Sequence, residues 1–189
     1  MLSYWNKMNL PNKITLVRFL LIPVFVLIIS LWQNWVGDFV ALLVFIVAAL
    51  TDALDGHLAR SRNLVTDFGK FMDPLVDKML VTSALIALVA MGRVYAWVVI
   101  VILAREFAIT GLRTIAVEKG IVLAASPLGK FKTATQMLAV CFLFLYTAPF
   151  VPTLVFFVIG QILLYAALIL TVWSGVDYII KCKEVFRDC

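Results

Sequence analysis

The stretch TDALDGHLARSRNLVTDFGKFMDPLVDK, residues 51–78, sets five aspartates between apolar runs long enough to enter a membrane. Carboxylates at membrane depth are costly and mark functional sites by default. The reading of this stretch therefore decides both fold and chemistry. Around it the chain is oily: of 189 residues, 64% are hydrophobic and 14% charged, with a mean hydropathy of +1.07. A soluble domain carries about a quarter charged residues. This much apolar surface exceeds what a soluble core can hide, so the composition predicts an all-α, polytopic membrane protein.

A span needs about 20 mostly apolar residues. Six runs qualify: Ile14–Trp32, Trp35–Leu58, Phe68–Met91, Tyr95–Val117, Phe131–Ala148 and Pro152–Ile180. The last is too long to cross perpendicular to the bilayer, so its end is expected to tilt or project. Ahead of the first, MLSYWNKMNLPNK lacks the zones of a cleaved signal peptide. It reads as a short interfacial helix with Tyr4 and Trp5 at headgroup depth. No repeat, low-complexity tract or linker appears, so residues 1–189 read as a single transmembrane domain. Cys141, Cys182 and Cys189 form no disulfide or zinc pattern.

Basic residues set the orientation. The connections QNWVGD and YTAPFVP hold no Lys or Arg, and MGRVY holds only Arg93. Every other basic residue lies at the N-terminus, near 60–78, near 105–132 or in the tail. That asymmetry places both termini and the aspartate stretch on the cytoplasmic side. The net charge of +5 is then gathered on one face, where it favours anionic lipid headgroups of the bilayer. Basic residues set at membrane depth argue against a nucleic-acid partner.

Within the opening stretch, Asp52, Asp55, Gly56, Ala59 and Arg60 fall at i, i+3, i+4, i+7 and i+8, one face of a helix. Gly69, Asp73 and Asp77 fall at i, i+4 and i+8, again one face. Antiparallel packing of the two spans would gather four carboxylates at the cytoplasmic boundary. A close pair of like charges at 4 Å costs about 4 kcal/mol at an effective dielectric near 20. Arg60 and Lys78 supply too little positive charge to offset four. Oxygen-only ligands select hard cations, so Mg²⁺ or Mn²⁺ is the expected partner, and shared carboxylates suit two of them. Gly56, Ala59 and Gly69 leave room for a ligand to approach the backbone, or for helices to pack closely. Arg60 offers a planar fork to a phosphate. Taken singly, the aspartates also suit helix ends: Asp73 before Pro74 has the form of an N-cap, unless the helix already starts near Phe68. Asp67 lies off the shared face and reads as a loop residue or cap, and His57 as a bystander. At this point a phosphoryl-transfer enzyme and a divalent-cation transporter both remain open, although the outer halves of the spans offer no polar route onward.

The pattern D-x2-D-G-x2-A-R-x8-G-x3-D-x3-D, carried by Asp52, Asp55, Gly56, Ala59, Arg60, Gly69, Asp73 and Asp77, resembles the signature of the CDP-alcohol phosphotransferases at every fixed position. The resemblance implies two divalent metal ions held by Asp52, Asp55, Asp73 and Asp77, with Asp77 as proton acceptor. It implies contact of Asp52, Gly56, Arg60 and Thr66 with the CDP part of the donor. The stretches NLPNKITLVRFLLIP (9–23), ILAREFAITGLRTIA (102–116) and GKFKTATQM (129–137) look like the bacterial branch that joins CDP-diacylglycerol to sn-glycerol 3-phosphate. That likeness implies a bacterial cytoplasmic membrane and a homodimer. Phosphatidylglycerol, inositol phosphate or serine remain alternative acceptors.

An anionic acceptor also suits the basic residues. Arg105 and Arg113 are eight apart near the cytoplasmic end of the fourth span, and Lys130 and Lys132 open the fifth. Four cations there suit a phosphate dianion, and equally suit anchoring at the headgroups. Glu106 is expected to orient one arginine. Asn12 and Thr15 are expected to cap the first span and touch cytidine, while Arg18 either snorkels or faces the cavity.

Overall fold

The computed structural model of the protein describes residues 10–61, 67–118 and 127–181, with side chains excepted at 10–11, 52–61, 67–71, 73–74, 116–118, 127 and 181. The interfacial segment expected at the N-terminus, Thr66 and the basic tail with Cys182 and Cys189 lie outside these residues. Six helices follow in order: α1 Leu10–Leu31, α2 Trp35–Ser61, α3 Asp67–Ala90, α4 Ala96–Glu118, α5 Pro127–Leu145 and α6 Thr153–Lys181. No strand occurs among the described residues. The all-helical expectation holds, and each predicted run coincides with one helix.

The ends differ where proline intervenes. α1 starts at Leu10 and α5 at Pro127, each about a turn earlier than the apolar runs suggest. Pro11 and Pro127 explain this: in a first turn the missing N–H has no intrahelical acceptor, and φ is already helical. α5 stops at Leu145 because Ala148 precedes Pro149, which pushes it out of the helical region. With α1 starting at Leu10, Asn12 and Thr15 lie inside the helix and do not cap it, contrary to the expectation. α3 runs Asp67–Ala90, so Pro74 falls within the helix and Asp73 is not its cap.

Three helices carry stretches long and apolar enough to cross a membrane: Asn12–Leu31, Leu128–Leu145 and Thr153–Ile180. In α2 the uninterrupted apolar part is Trp35–Thr51, and Asp52 ends it. Charges interrupt α3 at Lys70, Asp73, Asp77 and Lys78, and α4 at Arg105, Glu106 and Arg113. The outward faces are apolar, with Leu27, Leu50, Ile100, Leu138, Leu154 and Ile169 well exposed, while Arg18, Asp38, Lys132, Gln136 and Ser174 are buried. Apolar surface on this scale belongs in lipid, and the chain is a membrane protein.

The chain forms two compact units. The first comprises Met1–Ala87 with Thr147–Val151, the second Leu88–Tyr146 with Pro152–Cys189. In the first, α1 packs on α2, with Phe25 against Phe45 at 6.3 Å between ring centroids. Asn34 caps α2 by accepting from Gly37 N–H at 2.9 Å. Thr147 donates to the buried Asp38 carboxylate at 2.7 Å, and Phe39 meets Phe150 edge-on.

In the second unit α6 packs on both α4 and α5. Gly160 lets α6 approach α5, since a Cβ there would lie 2.8 Å from Leu143. With Leu143 against Gly160 and Tyr146 against Phe157, the two helices run antiparallel. Trp97 against Tyr165 and Arg105 on Ser174 run α4 parallel to α6. Gly92, at φ +70°, ends α3 in a turn in which Gly92 N–H bonds Val89 C=O and Arg93 N–H bonds Leu88 C=O. Arg93 then donates to Leu143 C=O at 3.1 Å and stacks near Phe144 and Tyr146.

Candidate active site

In the first unit, the buried face of α1 changes character along its length. Ile22, Phe25 and Ile29 occupy one half; Asn12, Thr15 and Arg18 occupy the other at 8%, 2% and 1% exposure. Arg18, buried on this stripe between Thr15 and Ile22, does not snorkel to the surface. On α2 the buried positions are Asp38, Ala41, Phe45 and Ala48. The same periodicity falls next on positions 52, 55 and 59. Counting two turns from the Phe25–Phe45 contact, down α1 and up α2, sets position 18 level with 52 and position 15 level with 55. The polar half of α1 and the signature end of α2 therefore share one level.

α2 carries Asp52, Asp55, Gly56, Ala59 and Arg60, and α3 carries Gly69 and Asp73, but their side chains lie outside the described ones. Asp77 is described: it is half-buried, next to the fully buried Val76 and one turn past Asp73. No cluster of three or more His, Cys, Asp or Glu occurs among the described residues. The donor set itself is all carboxylate oxygen, half-buried where Asp77 is seen. That chemistry fits hard divalent cations.

In the second unit the four predicted cations divide. Arg113 and Lys130 are exposed. Arg105 is half-buried on the stripe Val98, Ile102, Arg105, Ile109 that α4 turns inward, and its Nη2 donates to Ser174 Oγ at 2.8 Å. Lys132 is 1% exposed and forms an ion pair with Glu106. Glu106 was expected to orient an arginine, and the ion pair it makes is with this lysine. The difference follows from topology: Glu106 points across to α5, which its own helix neighbours do not. A buried ammonium satisfied by a carboxylate has less to offer an incoming phosphate than an exposed one. Around these groups lie polar residues that sequence reasoning passed over. Thr171, Ser174, Gly175 and Tyr178 occupy one buried face of α6 at i, i+3, i+4 and i+7. That spacing of hydroxyls in an otherwise apolar helix was the available signal. Gln136 on α5 is also buried, with its Oε1 lacking a hydrogen-bond partner.

Comparison with known proteins decides the family. The profile of the CDP-alcohol phosphatidyltransferases matches residues 8–173. The chain belongs to that family. Among relatives of this CDP-alcohol phosphatidyltransferase, a Bacillus subtilis (strain 168) protein is 47% identical over 95% of this chain and 97% of its own length. A Shigella flexneri serotype 5b protein is 38% identical over 95% and 98%, and a Rickettsia typhi protein 37% identical over 94% and 99%. All three are named CDP-diacylglycerol–glycerol-3-phosphate 3-phosphatidyltransferase.

Proposed function

We propose that this chain transfers the phosphatidyl group of CDP-diacylglycerol to sn-glycerol 3-phosphate, giving phosphatidylglycerophosphate and CMP. The observation that carries this reading is the end-to-end likeness to three proteins of that one name, with every signature position present.

Asp52, Asp55, Asp73 and Asp77 are the residues that would hold two divalent metal ions, Mg²⁺ or Mn²⁺. When bound, such ions neutralise pyrophosphate charge and stabilise the leaving oxygen. The rest falls to the chain's own groups. Asn12 and Thr15, buried on α1, bind the donor's cytidine end together with Asp52, Gly56, Ala59, Arg60, Thr66 and Gly69. Arg105, Arg113 and Lys130 take the acceptor's phosphate. Lys132, held by Glu106, supports this cationic end from within. Asp77 accepts the proton of the sn-1 hydroxyl. That oxygen forms the new bond to the diacylglycerol-linked phosphorus, the bond from phosphorus to the CMP oxygen breaks, and CMP departs with Arg60 countering its charge. All six helices span the bacterial cytoplasmic membrane, with both termini and the site on the cytoplasmic side and the acyl chains left in lipid. The enzyme works as a homodimer.

The test is CMP release by the purified full-length protein in detergent, with CDP-diacylglycerol, Mg²⁺ or Mn²⁺, and one acceptor at a time. Release with glycerol 3-phosphate alone is expected. Release with serine, inositol phosphate or phosphatidylglycerol in its place would replace the acceptor assignment.

A further inference from the structure

Two hydrogen-bond donors in the second unit are buried and unused. The Nε of Arg105 has no hydrogen-bond partner, and neither has the hydroxyl of Tyr178, a residue only 6% exposed. They are neighbours: Tyr178 follows Ser174 by one helical turn on the same face of α6, and Ser174 receives Arg105 Nη2. Buried donors are nearly always satisfied, so a pair left open points to an acceptor supplied by a ligand. Since one of the pair is a permanent cation, that ligand is an anion.

The wall of α6 holds Arg105 in this attitude. Ser174 Oγ donates to Leu170 C=O at 2.6 Å, which turns its lone pairs toward the guanidinium. Gly175 leaves the space for the arginine stem; a Cβ there would stand 3.2 Å from Arg105 Cγ and 3.9 Å from Nε. One edge of the guanidinium is thus anchored and the other presented.

We propose that Tyr178 is a further ligand of the acceptor's phosphate, and that Ser174 and Gly175 are positioning residues that aim the Nε edge of Arg105 at the same group. This deepens the assignment of Arg105 to the acceptor phosphate and rests on it. A phosphomonoester has oxygens enough for both donors, whereas an uncharged alcohol such as serine's side chain gives the arginine no counter-charge.

The experiment uses the full-length enzyme in lipid nanodiscs and four variants. Y178F removes the hydroxyl and nothing else, so its thermal midpoint without substrate should not fall. Its KM for glycerol 3-phosphate should rise about tenfold, the loss of one hydrogen bond to a charged group, while kcat and the KM for CDP-diacylglycerol change little. Glycerol 3-phosphate should also raise the thermal midpoint of the parent protein more than that of Y178F. G175A should raise the same KM. S174A should do likewise, and S174T, which restores the hydroxyl, should recover it. A raised acceptor KM in R105A with no change in Y178F and G175A overturns the proposal and leaves Arg105 its assigned role. An unchanged acceptor KM in R105A overturns both. A Y178F protein that loses thermal stability in step with activity marks a packing role and also overturns the proposal.

Discussion

Asp77 is the signature carboxylate whose surroundings are described, half-buried at the edge of the apolar stripe Val76, Leu80, Ala84 and Leu88 of α3. A carboxylate there can exchange a proton with substrate while keeping bulk water at a distance. Asp77→Asn keeps its shape and removes its basicity, so kcat should fall about 10²- to 10⁴-fold, the range of general-base catalysis. Steady-state CMP release at saturating substrates measures this, and near-normal turnover would dismiss Asp77 as the base. Arg113 offers a contrasting case. It is exposed and acts through charge, so Arg113→Ala should raise the KM for glycerol 3-phosphate about tenfold and spare that for CDP-diacylglycerol. An unaltered acceptor KM would remove it from the site. Both residues could be named as candidates from the sequence, Arg113 from its charge and position and Asp77 as base through the family resemblance. Ser174 and Tyr178 could not: a hydroxyl in an apolar helix can bond its own backbone four residues back, as Ser174 does to Leu170, so the sequence alone gives it no reason to act elsewhere.

Among elements, the ion pair between Glu106 of α4 and Lys132 of α5 is sensitive to mutation, because its ammonium is buried and its carboxylate only 23% exposed. Breaking a buried pair from one side leaves an uncompensated charge and costs about 3–5 kcal/mol, whereas replacing both partners with apolar groups is often neutral. Thermal unfolding in detergent should therefore show Glu106→Gln well below the parent and E106M/K132M restored most of the way. Equal destabilisation by single and double variants would mean that the pair adds nothing to packing. Where α5 meets α6, Gly160→Ala forces a Cβ to within 2.8 Å of the fully buried Leu143, an overpacking worth about 1–3 kcal/mol. The same assay should record a lower midpoint for it. The helices themselves were legible because each is built on an apolar run, interrupted by charges in α3 and α4, and their misread ends were those where proline, through backbone geometry and not hydropathy, sets the limit: Pro11, Pro127 and Ala148–Pro149. The partner of Glu106 was illegible for another reason, since which helix faces α4 is a matter of packing.

For the whole molecule, exposed apolar residues and buried polar ones set the chain apart from the soluble pattern. In the first unit the buried asparagine, threonine and arginine of α1 lie level with positions 52–59 of α2; in the second, Lys132, Gln136, Thr171, Ser174 and Tyr178 are buried and Arg105 is half-buried. With four aspartates assigned to metal, activity should depend wholly on divalent cation. Chelation should abolish CMP release, and Mg²⁺ or Mn²⁺ added back should restore it; residual turnover in excess chelator would contradict the metal assignment.

The Glu106–Lys132 pair has a further bearing on how the chain is made. α4 carries Arg105, Glu106 and Arg113 within its apolar run, while α5 opens with Lys130 and Lys132. The carboxylate can meet its ammonium only once α5 has been synthesised. Until then the arginines of its own helix, Arg105 and Arg113, are the countercharges nearest to Glu106 in sequence. The pair is thus a tie between two helices that closes only after both have been made.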